Sequence, residues 1–167
     1  KTVVIERGDY PGTKNVMGGV LDTAATNEVV PEFWKEAPLE RPVIEQRYAF
    51  LSKDEIFSAS YRDPAWGVEG QYNAHTVLRV KFDRWLADQA VKAGVMIITE
   101  TVVEDLLYHG DDVVGVRTGR AEGDLGAKVV IIAEGANNFL AVKAGLAKPL
   151  RPDSMAVVVK EIIELPA

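Results

Sequence analysis

An α/β fold built on a parallel sheet is what this sequence predicts, and three stretches predict it. The first is the apolar triplet Val3–Ile5, followed by Glu6, Arg7 and Gly8. An unbroken run of β-formers suits a strand covered on both faces, as in parallel sheets. The second runs over residues 81–99. Phe82, Trp85, Leu86, Ala90 and Ala93 recur at three- and four-residue spacing, Gly94 stands where a helix cap belongs, and an apolar strand follows at 95–99. Helix, glycine and strand in that order make half of a β–α–β unit. The third is the apolar run 128–133, which leads into Glu134, Gly135 and a helix expected at 137–144, with Asn137 as its cap.

Bulk composition narrows the function classes. A chain of 167 residues fits one domain or the interleaved halves of two small ones. The net charge of -6 disfavours a general nucleic-acid role, which needs a basic patch. With no cysteine, disulfides and thiolate-ligated clusters are excluded within this sequence. His75 and His109 are too few imidazoles for a typical structural metal site, so no metal is expected. The longest apolar run, 129–133, falls far short of the ~20 residues of a membrane span. No signal-peptide pattern is visible, and the chain opens on Lys1 rather than methionine. The expectation is a cytoplasmic domain belonging to something longer.

The remaining elements follow from local signals. Gly8, Pro11, Gly12, Gly18 and Gly19 mark an irregular loop, and the proline-bounded stretch 29–42 predicts no more than a helical turn near 32–35. Residues 43–51 and 56–61, rich in aromatic and β-branched side chains across a polar turn, predict a hairpin. Its aromatic residues Tyr48, Phe50, Phe57 and Tyr61 are expected in a core. A second hairpin is expected at 101–108 and 113–118, with 128–133 as its third strand, and a last strand at 155–165.

Four places carry candidate chemistry. Glu6, at the tip of the first strand with Arg7 beside it, either grips a ribose through both hydroxyls or is an ordinary solvent-facing strand end. The run Lys14, Asn15, Val16, Met17, Gly18, Gly19 either lets backbone approach a flat ring or phosphate, or is a flexible surface loop. Arg79 and Asp83, four apart, can pair on one helical turn; Arg79 is alternatively a donor fork for hydroxyls or phosphate. Glu134 and Gly135 bring a carboxylate and backbone N–H groups to the carboxyl end of a sheet, where open α/β folds bind ligands. No catalytic acid or base is fixed by this pattern. The glycine-rich phosphate turn that belongs about 20 residues before such an acid is not in the sequence.

In order, the run from Val4 through Gly19, the stretch 77–86 (Val-Leu-Arg-Val-Lys-Phe-Asp-Arg-Trp-Leu) and the stretch 129–137 (Val-Val-Ile-Ile-Ala-Glu-Gly-Ala-Asn) resemble the FixC family. These are electron-transfer flavoprotein–quinone oxidoreductases, close to geranylgeranyl reductases and more distant from aromatic hydroxylases. The resemblance implies an incomplete FAD/NAD(P)-binding Rossmann-like parallel sheet with a β-meander, plus part of an interleaved antiparallel substrate-side sheet. Residues 1–42 and 77–150 would belong to the FAD-binding domain, 43–76 and 151–167 to the substrate or acceptor side. It implies Glu6 as ribose acid, Lys14–Gly19 as the loop near the flavin, Arg79 near the ribityl–pyrophosphate portion, and Glu134 with Gly135 near the pyrophosphate. Glu134 stands where the family's Asp-Gly motif has Asp, and Asn138 and Ala141 where many relatives have Ser and Arg. Those departures favour electrons delivered by another flavoprotein over NAD(P)H.

The implied partners are electron-transfer flavoprotein subunits, a ferredoxin-like protein and quinone, with the parent touching a membrane peripherally as part of a complex. Isoprenoid reduction, aromatic hydroxylation and a cofactor-free interaction domain on the same scaffold are the alternatives. The 167 residues alone are expected to hold FAD weakly or not at all, and to self-associate through the unpaired edge of the first strand.

Overall fold

The computed structural model describes residues 1–155 apart from Val16, together with Val157, Val159, Glu161 and Ile163. The strand expected at 155–165 therefore falls largely outside the described residues. The chain gathers into two compact units, Lys1–Tyr10 with Gly94–Ala167, and Pro11–Ala93. Among the described residues no helix is long and apolar enough to cross a membrane.

The first unit contains the parallel pair. Strand β1 (Val3–Ile5) lies in register with β7 (Met96–Ile98), Val4 opposite Ile97. The ladder is extended when Glu6 N–H donates to Ile98 O at 2.8 Å. An antiparallel meander follows, β8 (Val103–His109), β9 (Asp112–Thr118) and β10 (Asp124–Gly126), with β9 central. Its hairpin is the expected one, but its third strand is not. The edge of β9 from Gly115 to Arg117 is already taken by β10, which leaves the run at 128–133 without a hydrogen-bonded neighbour among the described residues. Exposed and half-buried residues alternate along 129–133, so the run keeps a strand's period without a strand's partner. Leu106 is the buried large apolar residue among the described residues of this unit.

In the second unit, β2 (Gly18–Asp22), β6 (Ala74–Leu78) and β3 (Leu39–Pro42) form an antiparallel sheet with β6 in the middle. The glycines at 18 and 19 thus begin a strand rather than end a loop. Pro42, which has no N–H, is tolerated because β3 is an edge. Helix α1 (Thr23–Val29), absent from the sequence reading, is capped by Asp22, whose carboxylate accepts from Ala25 N–H at 2.8 Å. The helical turn expected near 32–35 is present at Phe33–Lys35.

Helix α2 (Arg79–Lys92) starts two residues earlier than its apolar spacing predicts. The strand runs straight into it, and the Arg79 N–H, an orphan in any first turn, donates to Met17 O at 2.9 Å. Gly94, at φ +90°, sits just past its end as expected. Phe33, Val77 and Phe82 form the core, with Leu21, Val30, Leu39, Trp34 and Trp85 packed around it. Each of the three contributes ~1.5–3 kcal/mol by leaving water.

The hairpin of β4 (Glu45–Leu51) and β5 (Ile56–Arg62) forms as predicted, but its aromatic face is not core. Tyr48, Phe50, Phe57 and Tyr61 are 61–70% exposed. The register sets Phe50 opposite Phe57 and Gln46 opposite Tyr61. Opposite residues share a face, so the aromatic side chains gather on one side of a two-stranded ribbon that no third strand extends among the described residues.

Candidate functional site

The expected site residues fall in both units. In the first, Glu6 follows β1 directly. Its Oε1 accepts the Gly8 N–H at 2.6 Å, curling the chain tightly after the strand, while Thr101 N–H donates to the Glu6 carbonyl at 3.1 Å. The carboxylate is half-buried and fixed by one oxygen. Its Oε2 has no described protein donor and is available to a hydroxyl pair. Arg7 beside it is exposed.

Glu134 behaves differently. Both of its carboxylate oxygens accept from the first turn of α3 (Phe139–Lys143), Leu140 N–H at 3.1 Å and Ala141 N–H at 2.9 Å. The expected cap, Asn137, instead lies in a 3-10 turn (Gly135–Asn137), and no side chain of the flanking Asn138 caps the helix. A carboxylate reaching back from position 134 satisfies two orphan donors at once, which a short Asn side chain cannot match. Gly135 carries φ +74°, which a side chain would disfavour. Lys143 Nζ, at the far end of α3, donates to Glu104 O at 2.8 Å and so ties the helix to β8.

The second unit brings four expected residues against one another. The turn over 11–15 is closed by Asn15 N–H donating to Gly12 O at 2.8 Å. Asn15 then extends its side-chain amide to Asp83 on the first turns of α2. The Asp83 carboxylate also receives Arg79 as a fork, Nε at 2.6 Å and Nη2 at 3.0 Å. Its hydrogen bond raises the Arg79 pKa further above the usual guanidinium range, opposed by partial burial and reinforced by the charge on Asp83. Arg79 therefore keeps a fixed positive charge, with its Nη1 side not committed to any described protein acceptor. Met17 and Gly18 lead into β2, and Gly18 pairs with Leu78, the residue before Arg79. Lys14 is exposed at the turn. Val16 lies outside the described residues.

Of the alternatives for Arg79, the ion pair is present: Asp83 takes its Nε and Nη2, and only the Nη1 edge has no described protein acceptor. Asp83 goes beyond its expected pairing with Arg79, because it also anchors the 11–15 turn through Asn15. His75, read only as an insufficient metal ligand, is buried on β6, its Nδ1 3.3 Å from Thr23 Oγ1 and its ring edge-on to Tyr72 at 4.5 Å. Burial lowers its pKa and keeps it neutral.

Each unit by itself fits part of a dinucleotide in chemistry. In the first, an uncommitted carboxylate oxygen suits a ribose hydroxyl; in the second, a guanidinium edge and a lysine suit a diphosphate, and at Gly19 an added Cβ would meet nothing within 4 Å, so the backbone stands open to a ring. A sequence profile described as FAD dependent oxidoreductase matches residues 5–166. The chain belongs to that family. FAD is the family's cofactor and oxidation–reduction its chemistry.

The chain is also similar to FixC proteins, 45% identical over 166 residues to that of Azotobacter vinelandii and 41% identical over 167 residues to that of Escherichia coli K12. Each match covers 99% of this chain but 38% of the relative. Among solved structures, a geranylgeranyl bacteriochlorophyll reductase-like protein from Thermoplasma acidophilum shares the fold. Its TM-score is 0.72 at 24% identity, over 87% of this chain and 36% of the other. The myxobacterial chondrochloren halogenase follows at TM-score 0.53 and 22% identity, over 74% of this chain and 28% of its own. The Rossmann-like α/β class expected from the sequence is thereby confirmed.

Proposed function

We propose that the full-length protein is a FixC-type FAD-dependent oxidoreductase that relays electrons from an electron-transfer flavoprotein to quinone or a ferredoxin-like acceptor. The observation that carries this reading is the 45% identity to a FixC protein over 99% of the chain. Bound FAD supplies the one- and two-electron exchange. The chain's own residues bind and orient. In the first unit Glu6 Oε2 would accept from a ribose hydroxyl; in the second, Arg79 and Lys14 would balance diphosphate charge and the glycine backbone at 18–19 would admit a flat ring. Glu134 braces α3, and Gly135 brings backbone without a side chain toward the pyrophosphate. Arg7 contributes positive charge beside Glu6. No described residue is assigned as acid or base; the two protons taken up when a quinone is reduced to quinol would come from water.

In this reading residues 1–42 and 77–150 serve the cofactor, while 43–76 and 151–167 face the substrate or acceptor. The one-sided aromatic ribbon of β4 and β5 supports such a division, since an apolar face of this kind is built to be covered. Association with a membrane-bound acceptor complex belongs to the same reading.

The test is anaerobic reduction of the full-length protein. Purified reduced electron-transfer flavoprotein is expected to bleach the flavin absorbance within seconds, and NAD(P)H alone to leave it unchanged. Direct reduction by NAD(P)H at a comparable rate would overturn the relay and favour a hydroxylase-type enzyme.

A further inference from the structure

The 11–15 turn and the first turns of α2 meet at Asp83. Its Oδ1 accepts Arg79 Nε, and its Oδ2 accepts both Arg79 Nη2 and the amide of Asn15. The carboxylate side chain is 14% exposed against 43% for Arg79, so the acceptor is the inner partner and the guanidinium the outer one. Gly12 presses on the same residue: a Cβ there would stand 2.8 Å from Asp83 Cβ. An isolated surface pair on one helix turn orders little beyond itself. This one joins two segments far apart in sequence, and it fixes the plane of a guanidinium through two parallel bonds.

We propose that Asp83 is a positioning residue, which locks the 11–15 turn to α2 and sets Arg79 so that its Nη1 side and the glycine backbone at 18–19 face one diphosphate-bearing cofactor together. The proposal rests on the cofactor role given to this region above. Asp83 itself does not touch the cofactor; a carboxylate beside a diphosphate would repel it. It acts through Arg79 and Asn15. The advantage is preorganisation, because a guanidinium already held in plane loses less freedom when it meets a phosphate.

The experiment uses the full-length protein and two readouts, the FAD dissociation constant from quenching of flavin fluorescence, and the rate of tryptic cleavage at Lys14 in the apoprotein. Asp83→Ala and Asn15→Ala are each expected to speed cleavage at Lys14, and Asp83→Ala to weaken FAD binding about tenfold or more, the scale of a lost charge-assisted hydrogen bond. The double variant is expected to be no worse than Asp83→Ala, since both remove one linkage; additive effects would instead describe two unrelated structural losses. Should Asp83→Ala fail to fold, Asn15→Ala breaks the same lock from the loop side, and unchanged cleavage there overturns the proposal. If Arg79→Ala weakens FAD binding while Asp83→Ala alters neither readout, Asp83 is not a positioning residue and the cofactor role of Arg79 stands. A full-length protein that takes up no FAD overturns the cofactor role, and this proposal with it.

Discussion

Gly12→Ala is the sharpest perturbation of the loop that the structure offers. Gly12 has φ +94°, and an added Cβ would lie 2.8 Å from Asp83 Cβ, 3.3 Å from Val80 O and 3.4 Å from Arg79 O. The positive φ alone costs ~1–3 kcal/mol for an L side chain. The contact adds to this. Two of the three neighbours are helix backbone, and Asp83 is held by Arg79 and Asn15, so the loop rather than the helix must give. Forced shifts of that kind cost ~1–3 kcal/mol more. Gly70→Ala separates the terms: it lies in the same unit at φ +81° with nothing within 4 Å of the added Cβ, so it carries the conformational cost alone. Thermal unfolding should therefore rank wild type above Gly70→Ala above Gly12→Ala, at ~4–8 °C per kcal/mol for a small cooperative unit. Tryptic cleavage at Lys14 should accelerate in Gly12→Ala and stay at the wild-type rate in Gly70→Ala. Equal melting of the two variants, with Lys14 equally protected, would refute the close approach of loop and helix.

Two further outcomes test the packing of the same unit. His75 is neutral because burial disfavours its charged form, so its folded pKa lies below the ordinary 6.5. Between those two values the unfolded chain binds more protons than the folded one, and stability must fall as pH drops through that window, then level off below the folded value. Urea midpoints measured in a His109→Gln background between pH 7.5 and 5.5 should show this decline, and His75→Gln should flatten it. Phe33, 2% exposed and edge-on to Trp34, His75 and Phe82, should cost ~3–5 kcal/mol as Phe33→Ala but under ~2.5 kcal/mol as Phe33→Leu, which keeps most of the volume. Fluorescence of Trp34 and Trp85, both packed on that cluster, reports the transition in either variant.

What the sequence disclosed was whatever a single segment specifies by itself. The α2 face, Gly94 at its end, the two hairpins and the triplet at β1 each rest on spacing or turn chemistry within a few residues. What it concealed was pairing at a distance. Gly18 and Gly19 read as loop because glycine weakens a strand, yet they pair with Leu78 and Val77 of a strand some sixty positions away in sequence. Strand β6 went unseen because His75 and Thr76 interrupt its apolar run, although both sit well inside a sheet: His75 against Thr23, and Thr76 accepting the Arg41 N–H through its hydroxyl at 3.1 Å. The signal that could have found α1 was there, an Asp immediately before a Thr-Ala-Ala run.

The aromatic ribbon shows the converse error, since alternation identifies which face is apolar and says nothing about what covers it. The candidate site has the same logic. Arg79 and Asp83 were visible as a pair because they are four apart, whereas the third member, Asn15, is 68 positions from Asp83. Its arrival changes the meaning of the pair. With two members it is an ion pair that any exposed helix carries; with three it fixes the 11–15 turn, and Gly18, the first residue of β2, pairs with Leu78, the residue before Arg79. A strand–helix junction, not a flexible glycine loop, is what holds Arg79 and Asp83 in place.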